Sequence, residues 1–352
     1  MKLLKGVGEF FGLDIGTNSV RVVQLAQRGD GGFVLKNFGY APVDEQDVLS
    51  DSEASQSRLK IAITTAINQS GIKTKNVVVG VPSSKTFITV VDVAARSQLE
   101  LDKIMRYQVD QFIPMSSEGT KVDWALLGPS LNNAAKQEVI LASVDVDYSE
   151  KRLDFVESLG LNVIALEPDP LAMSRALNID NGNSSGANLV LNMSYRQTDV
   201  AVMLNGMPRL IRSLPIGLST MINAVNQNLS VKEDQARQFV MKFGLEPGKL
   251  DDKIILALEG VLDNFINELS KTIRFFQTKY ASAQITQIIV SGYASTIPAM
   301  SQHIANKTNM NAVIGNPWIN VSYDNSYRQV LEPIASEFAV AIGLAQRSNN
   351  DL

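Results

Sequence analysis

Hydrophobic and polar positions near the start of the chain predict three strands, a helix and a fourth strand. Residues 10–16 are apolar up to Asp14, residues 19–26 alternate between apolar and polar positions, and residues 33–40 form a third candidate strand after a glycine-rich turn. Helical spacing covers residues 57–70, and the short apolar run at residues 76–81 is typical of a buried strand. This part of the chain therefore predicts an α/β domain that opens with an antiparallel meander.

The next part of the chain predicts a separate α/β insertion at about residues 87–163. Turn-forming residues at 180–186 follow it and indicate a connector between two larger domains. The predicted strands of the insertion are Thr86–Val93, Val122–Leu127, Glu138–Val144 and Asn162–Leu166, and its predicted helices are Leu99–Phe112 and Ser149–Leu159.

The three-strand pattern of residues 10–40 recurs about 175 residues later, over residues 188–214. In both places an apolar strand, a polar turn, a second strand, a glycine-containing turn and a third strand follow one another. Two copies of one unit predict a duplicated domain. The second half is completed by a strand at residues 287–290 and by predicted helices at 218–229, 232–243, 251–280, 296–308 and 331–345.

Composition places the chain among ordinary globular proteins, with 45% hydrophobic and 19% charged residues. Its 352 residues are enough for two or more domains, each with its own core. The net charge of -4 argues against nucleic acid as a partner. Cysteine is absent and His303 is the one histidine, which excludes disulfides, Cys-ligated metals, thiol catalysis and a cluster of histidine metal ligands.

The sequence contains no stretch of the roughly 18 apolar residues that cross a bilayer. The N-terminal run MKLLKGVGEFFG is too short and too interrupted for a signal peptide. We interpret it as the lead-in to the first strand, with weak attachment to a membrane surface as the alternative.

The first predicted strand ends in residues whose types suit a bound phosphate and a cation. Asp14 stands at the strand end, where a carboxylate can hold Mg²⁺ through a water shell. Gly16 has no Cβ, so the backbone can approach an anion closely, and Thr17 and Asn18 offer hydroxyl, amide and backbone donors. As a bare string, these residues equally suit a turn capped by an aspartate.

The string Asp14-Ile15-Gly16-Thr17 at the start of a duplicated unit resembles the first phosphate loop of the actin, Hsp70 and sugar-kinase superfamily. The resemblance implies an actin-like, two-lobed α/β fold of duplicated ribonuclease H-like domains. In that superfamily the lobes close on ATP and Mg²⁺, which are therefore the implied cofactors.

Within that superfamily, the chain resembles the PilM family of type IV pilus assembly proteins over almost its whole length. The similar segments are FGLDIGTNSVRVVQL near the start, Ser70–Val93, the helix that ends in Phe112-Ile113-Pro114, Phe155–Leu177, and ELSKTIRFFQ at Glu268–Gln277. Their order along the chain makes the resemblance specific.

The organisation of that family implies four subdomains. Subdomain 1A takes residues 1–86 and is completed by residues 164–182 and 331–352, and an inserted subdomain 1C takes residues 87–163. Subdomain 2A takes residues 187–222 and 285–330, and subdomain 2B takes residues 223–284.

The second phosphate loop departs from the family pattern. The superfamily has D-x-G there, whereas this chain has Asn192-Met193-Ser194 and keeps the later Thr198. Asn192 carries no charge with which to hold Mg²⁺ or act as a base. The Cβ of Ser194 stands where glycine would allow close approach of the backbone.

The adenosine-binding positions depart as well. Gly292 is followed by Tyr293 where the family has a second glycine, so this side chain either stacks on adenine or blocks it. Arg237 stands where the family has a glutamate, and Glu233, one turn earlier, is the candidate substitute. Because phosphoryl transfer depends on positioning and charge neutralisation, these departures predict weak or absent ATPase activity and leave nucleotide binding open.

The resemblance also implies a partner. In the PilM family, a groove between subdomains 1A and 1C takes the N-terminal cytoplasmic peptide of the membrane protein PilN, and extended peptides bind through backbone hydrogen bonds and apolar pockets. Met105, Tyr107, Phe112 and Met115 are the apolar candidates for that groove, with core packing as the alternative for each. Other platform proteins and pilus ATPases are further implied partners.

These features predict a cytoplasmic scaffold of a type IV pilus platform that meets the inner membrane through its partner. FtsA-type division proteins also carry a 1C insertion, but they bind the membrane through a basic amphipathic helix at the C-terminus, which residues 346–352 do not resemble. An active ATPase or kinase of the same fold and a filament-forming actin are the alternatives.

Overall fold

A computed structural model describes residues 8–29, 31–95, 97–114, 119–178 and 186–347. Its strands are β1 (Phe11–Ile15), β2 (Ser19–Gln27), β3 (Phe33–Pro42), β4 (Asn76–Val81), β5 (Thr86–Val93), β6 (Thr120–Pro129), β7 (Gln137–Asp145), β8 (Asn162–Pro168), β9 (Gly186–Met193), β10 (Thr198–Leu204), β11 (Met207–Leu214), β12 (Gln284–Gly292), β13 (Asn311–Ile314) and β14 (Val321–Ser322). Its helices are α1 (Glu45–Leu49), α2 (Glu53–Ser70), α3 (Gln98–Gln108), α4 (Val146–Glu157), α5 (Asp169–Leu177), α6 (Leu218–Leu229), α7 (Glu233–Lys242), α8 (Lys253–Lys279), α9 (Tyr293–Thr296), α10 (Met300–Thr308), α11 (Arg328–Leu331) and α12 (Ala339–Ala345).

The chain divides into two compact units. The first contains Met1–Ala176, Trp318–Pro333 and Val340–Leu352. The second contains Leu177–Pro317 and Ile334–Ala339. Each unit therefore combines residues that lie far apart in the sequence.

The large sheets of the two units repeat one topology, which confirms the predicted duplication. The first sheet has the order β14-β3-β2-β1-β4-β8, and the second sheet has the order β11-β10-β9-β12-β13. In each sheet an antiparallel meander is joined by strands that run parallel to its first strand. The molecule thus has the actin-like α/β fold that the sequence predicts.

Helix α2 covers the core of the first sheet. Ser52 caps the helix by accepting a hydrogen bond from the backbone N–H of Ser55, and Gly71 ends it in the left-handed conformation that glycine adopts without a steric penalty. The buried side of the helix meets the apolar runs of β1 and β4 in one cluster, whose members include Phe11, Leu13, Leu59, Ile63, Ala66, Val77 and Val79.

A small sheet with the order β5-β7-β6 follows β4 within the first unit. Helix α3 covers one face of it. Leu101 and Met105 are four residues apart on α3 and pack in one buried cluster with Val139 and Leu141 of β7. The small sheet therefore has a core of its own.

Helix α4 packs with the first sheet, whereas the sequence-based prediction extends the insertion to residue 163. Phe155 and Val156 of α4 pack in the cluster of the first sheet. Strand β8 pairs with β4 from Asn162 onwards. The inserted part therefore ends where β7 ends, because the buried side of α4 matches the first sheet.

The second unit packs α6 and α8 in its core. Along α8, Leu258, Leu262, Phe265 and Leu269 recur at spacings of three and four residues and are all buried. The helix lies close to the expected range of residues 251–280. Its regular apolar stripe explains why this helix could be predicted from the sequence.

Prolines shorten two of the expected helices. The helix expected at 296–308 begins at Met300, because Ile297 before Pro298 is extended and Ala299 after it is left-handed. The helix expected at 331–345 is divided into α11, a 3₁₀ segment at Glu332–Phe338 that contains Pro333, and α12.

The segment Trp318–Pro333 belongs to the first unit, whereas the expected subdomain 2A ran to residue 330. Its strand β14 pairs with the far edge of the first sheet, where Val321 stands opposite Phe33. Trp318 is buried. Backbone pairing with β3 therefore returns the chain to the first unit.

Helix α12 lies in close contact with α5 and β1. A Cβ on Gly343 would overlap the carbonyl oxygen of Ala172, and a Cβ on Gly12 would lie 2.5 Å from the carbonyl oxygen of Ala341. The two glycines therefore allow the backbones of helices and strand to approach one another.

A buried carboxylate joins β8 to the C-terminal part of the chain. The side chain of Glu167 is 0% exposed and accepts hydrogen bonds from Nη2 of Arg175 at 2.7 Å and from Nη1 of Arg347 at 3.0 Å. Nη1 of Arg175 also donates to the carbonyl oxygen of Gly343 at 2.6 Å. The pairing connects β8, α5 and α12 within the first unit.

Among the helices that the structure describes, none combines the length and the apolar character needed to cross a membrane.

Candidate functional site

The first loop, defined as residues 14–19, begins with an ion pair. Asp14 near the end of β1 stands directly opposite Arg21 of β2 in the antiparallel ladder. Nη1 of Arg21 donates to Oδ2 of Asp14 at 3.1 Å, and the two side chains are only 9% and 6% exposed. The carboxylate that the sequence assigns to Mg²⁺ therefore already has a cation beside it.

The turn of the first loop is closed by its own backbone. The N–H of Gly16 donates to the carbonyl oxygen of Ser19 at 3.0 Å, and a Cβ on Gly16 would lie 2.9 Å from Nη1 of Arg21. A larger residue at this position would therefore crowd the arginine. Thr17 and Asn18 at the turn are partly exposed, so they are the loop positions at which a ligand could be contacted.

These residues do not fit a Mg²⁺ ion held at Asp14. A divalent cation and a guanidinium at the same carboxylate would repel each other, and arginine cannot lose its charge by deprotonation in a protein. A Mg²⁺ ion would also need room for the waters that it keeps. The pairing of Asp14 with Arg21 opposes both requirements.

The second loop, defined as residues 192–198, repeats the turn of the first. The N–H of Ser194 donates to the carbonyl oxygen of Gln197 at 2.8 Å, as the N–H of Gly16 does to Ser19. The hydroxyl of Ser194 donates to the same carbonyl oxygen at 2.9 Å. Ser194 thus stabilises its own turn.

Thr198, which the sequence predicts as a nucleotide-binding residue, forms a hydrogen bond inside the second unit. The residue is fully buried, and its hydroxyl donates to the carbonyl oxygen of Ile216 at 2.6 Å. The bond ties the start of β10 to the segment that follows β11. Its role in the described structure is internal.

Sequence reasoning missed an acidic residue beside Asn192. Asp199 of β10 stands directly opposite Asn192 of β9, and it is buried while accepting a hydrogen bond from the hydroxyl of Ser213 at 2.7 Å. The signal was the spacing, because Asp199 follows Asn192 by seven positions, just as Arg21 follows Asp14.

Gly292 and Tyr293 lie at the end of β12, next to the second loop. Gly292 stands opposite Met193, with φ 63° and ψ -149°, and a Cβ there would overlap the carbonyl oxygen of Met193 and lie 2.8 Å from Oδ1 of Asn192. Tyr293 begins α9 and packs against the core cluster of the second unit. The glycine is therefore required by the neighbouring strand end.

Glu233 and Arg237 of α7 both engage the second loop through one aromatic ring. The hydroxyl of Tyr195 donates to Oε1 of Glu233 at 3.5 Å, and Cζ of Arg237 lies 5.1 Å from the centre of the Tyr195 ring. Glu233, which the sequence predicts as a nucleoside-binding residue, thus contacts Tyr195 and is exposed to solvent.

The candidate groove residues differ in exposure. Met105 is completely buried in the core of the small sheet, so it cannot line a groove, and Phe112 is partly buried against the same core. Tyr107 is 87% exposed. Met115 lies outside the described residues. Tyr107 is therefore the candidate best placed to touch a partner.

The chain passes from the first sheet to the small sheet between β4 and β5 and returns after β7. These two connections meet at Tyr148. Lys85 lies just before β5, and Arg152 lies on α4 after β7; their charged groups lie 5.6 Å and 5.5 Å from the centre of the Tyr148 ring. Nη2 of Arg152 also donates to the Tyr148 hydroxyl at 3.0 Å. Burial raises the pKa of Tyr148, so the hydroxyl stays protonated at neutral pH.

The sequence of this chain matches the model of one known protein family. A family model described as "Type IV pilus assembly protein PilM" matches residues 12–349. The chain belongs to the PilM family. The match extends over both units and includes both loops, so the departures at Asn192, Ser194 and Tyr293 lie inside the part of the chain that matches this family.

Solved structures support the fold of this PilM-family member. A chain of the "PilM-PilN type IV pilus biogenesis complex" matches with a TM-score of 0.84 at 20% identity, covering 98% of this chain and 99% of that one. The ethanolamine utilization protein EutJ from Carboxydothermus hydrogenoformans matches with a TM-score of 0.54 at 14% identity, covering 97% and 90%. MreB5 of Spiroplasma citri bound to ADP matches with a TM-score of 0.50 at 12% identity, covering 95% and 94%.

Proposed function

We propose that this chain is a scaffold of type IV pilus assembly that docks the N-terminal cytoplasmic peptide of a PilN-like membrane protein. The family match over residues 12–349 carries the proposal. The similarity to a chain of the PilM–PilN complex supports it, since that alignment covers 98% of this chain. Such docking would hold the scaffold at the cytoplasmic face of the inner membrane without a membrane span of its own.

The peptide would bind between the small sheet and the first sheet, which correspond to subdomains 1C and 1A. Both parts lie within the first unit, and the two connections between them are joined by the stacking of Lys85 on Tyr148. A contact of this kind favours a groove of fixed width, because it links the two connections to each other. A preformed groove reduces the entropy lost when an extended peptide binds.

Tyr107 is the side chain through which we expect part of the peptide contact. An exposed aromatic residue is enriched at protein interfaces, where it supplies a large contact area with few rotatable bonds. Leu99 and Lys103 lie on the same side of α3 at spacings of four residues, and both are exposed. The three residues therefore offer an apolar surface with one positive charge.

Replacing Tyr107 with alanine is expected to weaken peptide binding by at least about 10-fold, because aromatic anchors at interfaces contribute about 2 kcal/mol or more. Isothermal titration of the full chain with a synthetic peptide of the PilN-like partner's N-terminal cytoplasmic sequence measures the effect. Phe275→Ala is the matched control, since Phe275 is an exposed aromatic residue of α8 in the second unit.

A scrambled peptide should not bind, and the Phe275→Ala variant should bind as the wild type does. If the wild type does not bind the native peptide, the docking proposal fails. If the Tyr107→Ala variant binds as tightly as the wild type, the contact surface lies elsewhere on the first unit.

We also propose that nucleotide, when bound, is hydrolysed weakly or not at all. Asn192 supplies no charge, and the nearby carboxylate of Asp199 is buried and hydrogen-bonded to Ser213. Thr17 and Asn18 of the first loop would supply phosphate contacts, because the N–H groups of Gly16 and Ser194 are used inside their own turns. The bound nucleotide would then bias conformation without driving it by turnover.

Phosphate release from ATP by the full chain is expected to be more than about 100-fold slower than the ~1–100 s⁻¹ of ordinary kinases. The paired variant Asn192→Asp/Asp199→Asn moves the carboxylate onto β9 without placing two carboxylates opposite each other. It should release phosphate faster than the wild type if the missing charge limits the rate. Turnover by the wild type in the kinase range would instead support an active ATPase.

A further inference from the structure

The ion pair in the first loop has a direct consequence for metal binding. Asp14 and Arg21 are buried partners at 3.1 Å, and Gly16 leaves the space that the guanidinium occupies. Separating such a pair is costly, because each charge would remain buried without compensation. The positive charge at this carboxylate is thus part of the fold.

The equivalent pair in the second unit lacks that positive charge. Asn192 and Asp199 occupy the same positions in β9 and β10 that Asp14 and Arg21 occupy in β1 and β2. The carboxylate therefore lies on the second strand there, and the hydroxyl of Ser213 donates to it. The duplicated loops thus differ in charge as well as in sequence.

A protonated guanidinium is geometrically suited to this position. Arginine remains charged at all relevant pH values, and its planar head can hold a carboxylate oxygen with one N–H while other N–H groups point elsewhere. Phosphate oxygens are also preferred partners of arginine. A cation that is covalently part of the chain can therefore serve a polyphosphate without a metal ion.

We propose that Arg21 takes the place of Mg²⁺ at Asp14, so that this protein binds a nucleoside polyphosphate at its first loop without requiring a divalent cation. The part of the inference that concerns nucleotide rests on the nucleotide binding proposed above. The part that concerns Mg²⁺ does not, since Arg21 excludes the ion from Asp14 whether or not nucleotide is present.

The first measurement is the thermal unfolding midpoint of the full chain in millimolar Mg²⁺ and in EDTA, without nucleotide. The wild type and Arg21→Lys, which keeps the charge, should give the same midpoint in both. Arg21→Gln should be less stable in EDTA and should gain several degrees in Mg²⁺, because the ion then compensates Asp14. The double variant Asp14→Asn/Arg21→Gln, which has no unpaired charge, should lose that response.

The second measurement is isothermal titration with ATP under the same two conditions. The wild-type dissociation constant should change by less than about 3-fold between Mg²⁺ and EDTA, whereas that of Arg21→Gln should improve by at least about 10-fold in Mg²⁺. A wild type that binds ATP only with Mg²⁺ overturns the inference.

The unfolding experiment remains decisive if ATP does not bind at all, in which case the nucleotide proposal fails separately. A Mg²⁺-dependent rise in the wild-type midpoint that disappears in Asp14→Asn overturns the inference. So does a folded Arg21→Gln variant that ignores Mg²⁺. If Arg21→Gln does not fold, the comparison of wild type with Asp14→Asn still tests whether Mg²⁺ reaches this carboxylate.

Discussion

Replacing Glu167 with alanine is expected to lower the free energy of unfolding by about 3–5 kcal/mol. The change removes the carboxylate that pairs with Arg175 at 2.7 Å and with Arg347 at 3.0 Å. Arg347 is 3% exposed, so its charge would stay buried without its carboxylate partner. Losing one member of a buried charge network costs more than the network contributes as a whole, because the remaining charges keep their desolvation penalty.

Urea unfolding of the full chain, followed by circular dichroism, measures this loss. The matched control is Asp51→Ala, which breaks the 3.3 Å pair of Asp51 with Lys151, where the side chains are 79% and 71% exposed. That control should cost less than about 1 kcal/mol, since solvent screens an exposed pair. An equal effect of both substitutions would show that the buried network does not stabilise the fold in the way proposed.

Replacing Gly343 with alanine is expected to destabilise the protein by about 3 kcal/mol, although alanine is the better helix former. The added Cβ would overlap the carbonyl oxygen of Ala172 in α5. A backbone atom cannot move aside as the end of a flexible side chain can, so α12 and α5 would have to separate. The contact of α12 with Gly12 of β1 would be lost as well.

Gly260→Ala is the matched control, because Gly260 also lies inside a helix, α8, and its added Cβ would meet no atom within 4 Å. This substitution should stabilise the protein by about 0.5–1 kcal/mol through helix propensity alone. Opposite signs for the two glycines in the same unfolding assay would support the packing argument. A stabilising Gly343→Ala would contradict the close approach of α12 and α5.

The duplicated topology could be predicted from the sequence because its evidence is local. An antiparallel meander consists of consecutive strands joined by short turns, so the order of polar and apolar positions at 10–40 and 188–214 is enough to identify it. The burial of Met105 could be predicted in the same way, because Leu101 and Met105 of α3 and Val109 directly after it recur every four residues and are all buried.

The ion pair of the first loop could be predicted only once the turn between β1 and β2 was known. Once Ile15 is placed opposite Val20, the antiparallel register brings Asp14 opposite Arg21. The order of residues in the loop alone suggests that Asp14 is a metal ligand, because it does not reveal which residue of β2 stands opposite. The same register places Asp199 opposite Asn192.

The return of the chain to the first unit could not be predicted from local pattern. Strand β14 is two residues long, and its parallel partner β3 lies in a remote part of the sequence. Such short, distant pairing leaves no periodicity to detect. Exposure of Tyr107 is likewise a property of tertiary packing, since an aromatic residue on a helix is equally compatible with a core.

The path of the chain between the two units has a consequence for biosynthesis. Domains commonly fold in the order in which they leave the ribosome, yet the first unit needs Trp318–Pro333 and the last helix, α12, which are translated after almost all of the second unit. During elongation, β3 therefore lacks its partner β14, and the surface of β1 at Gly12 lacks its contact with α12. Translation of α12 would therefore complete the first unit, although that unit is the first to be synthesised. Until then, chaperones would encounter the first unit in an incompletely folded state.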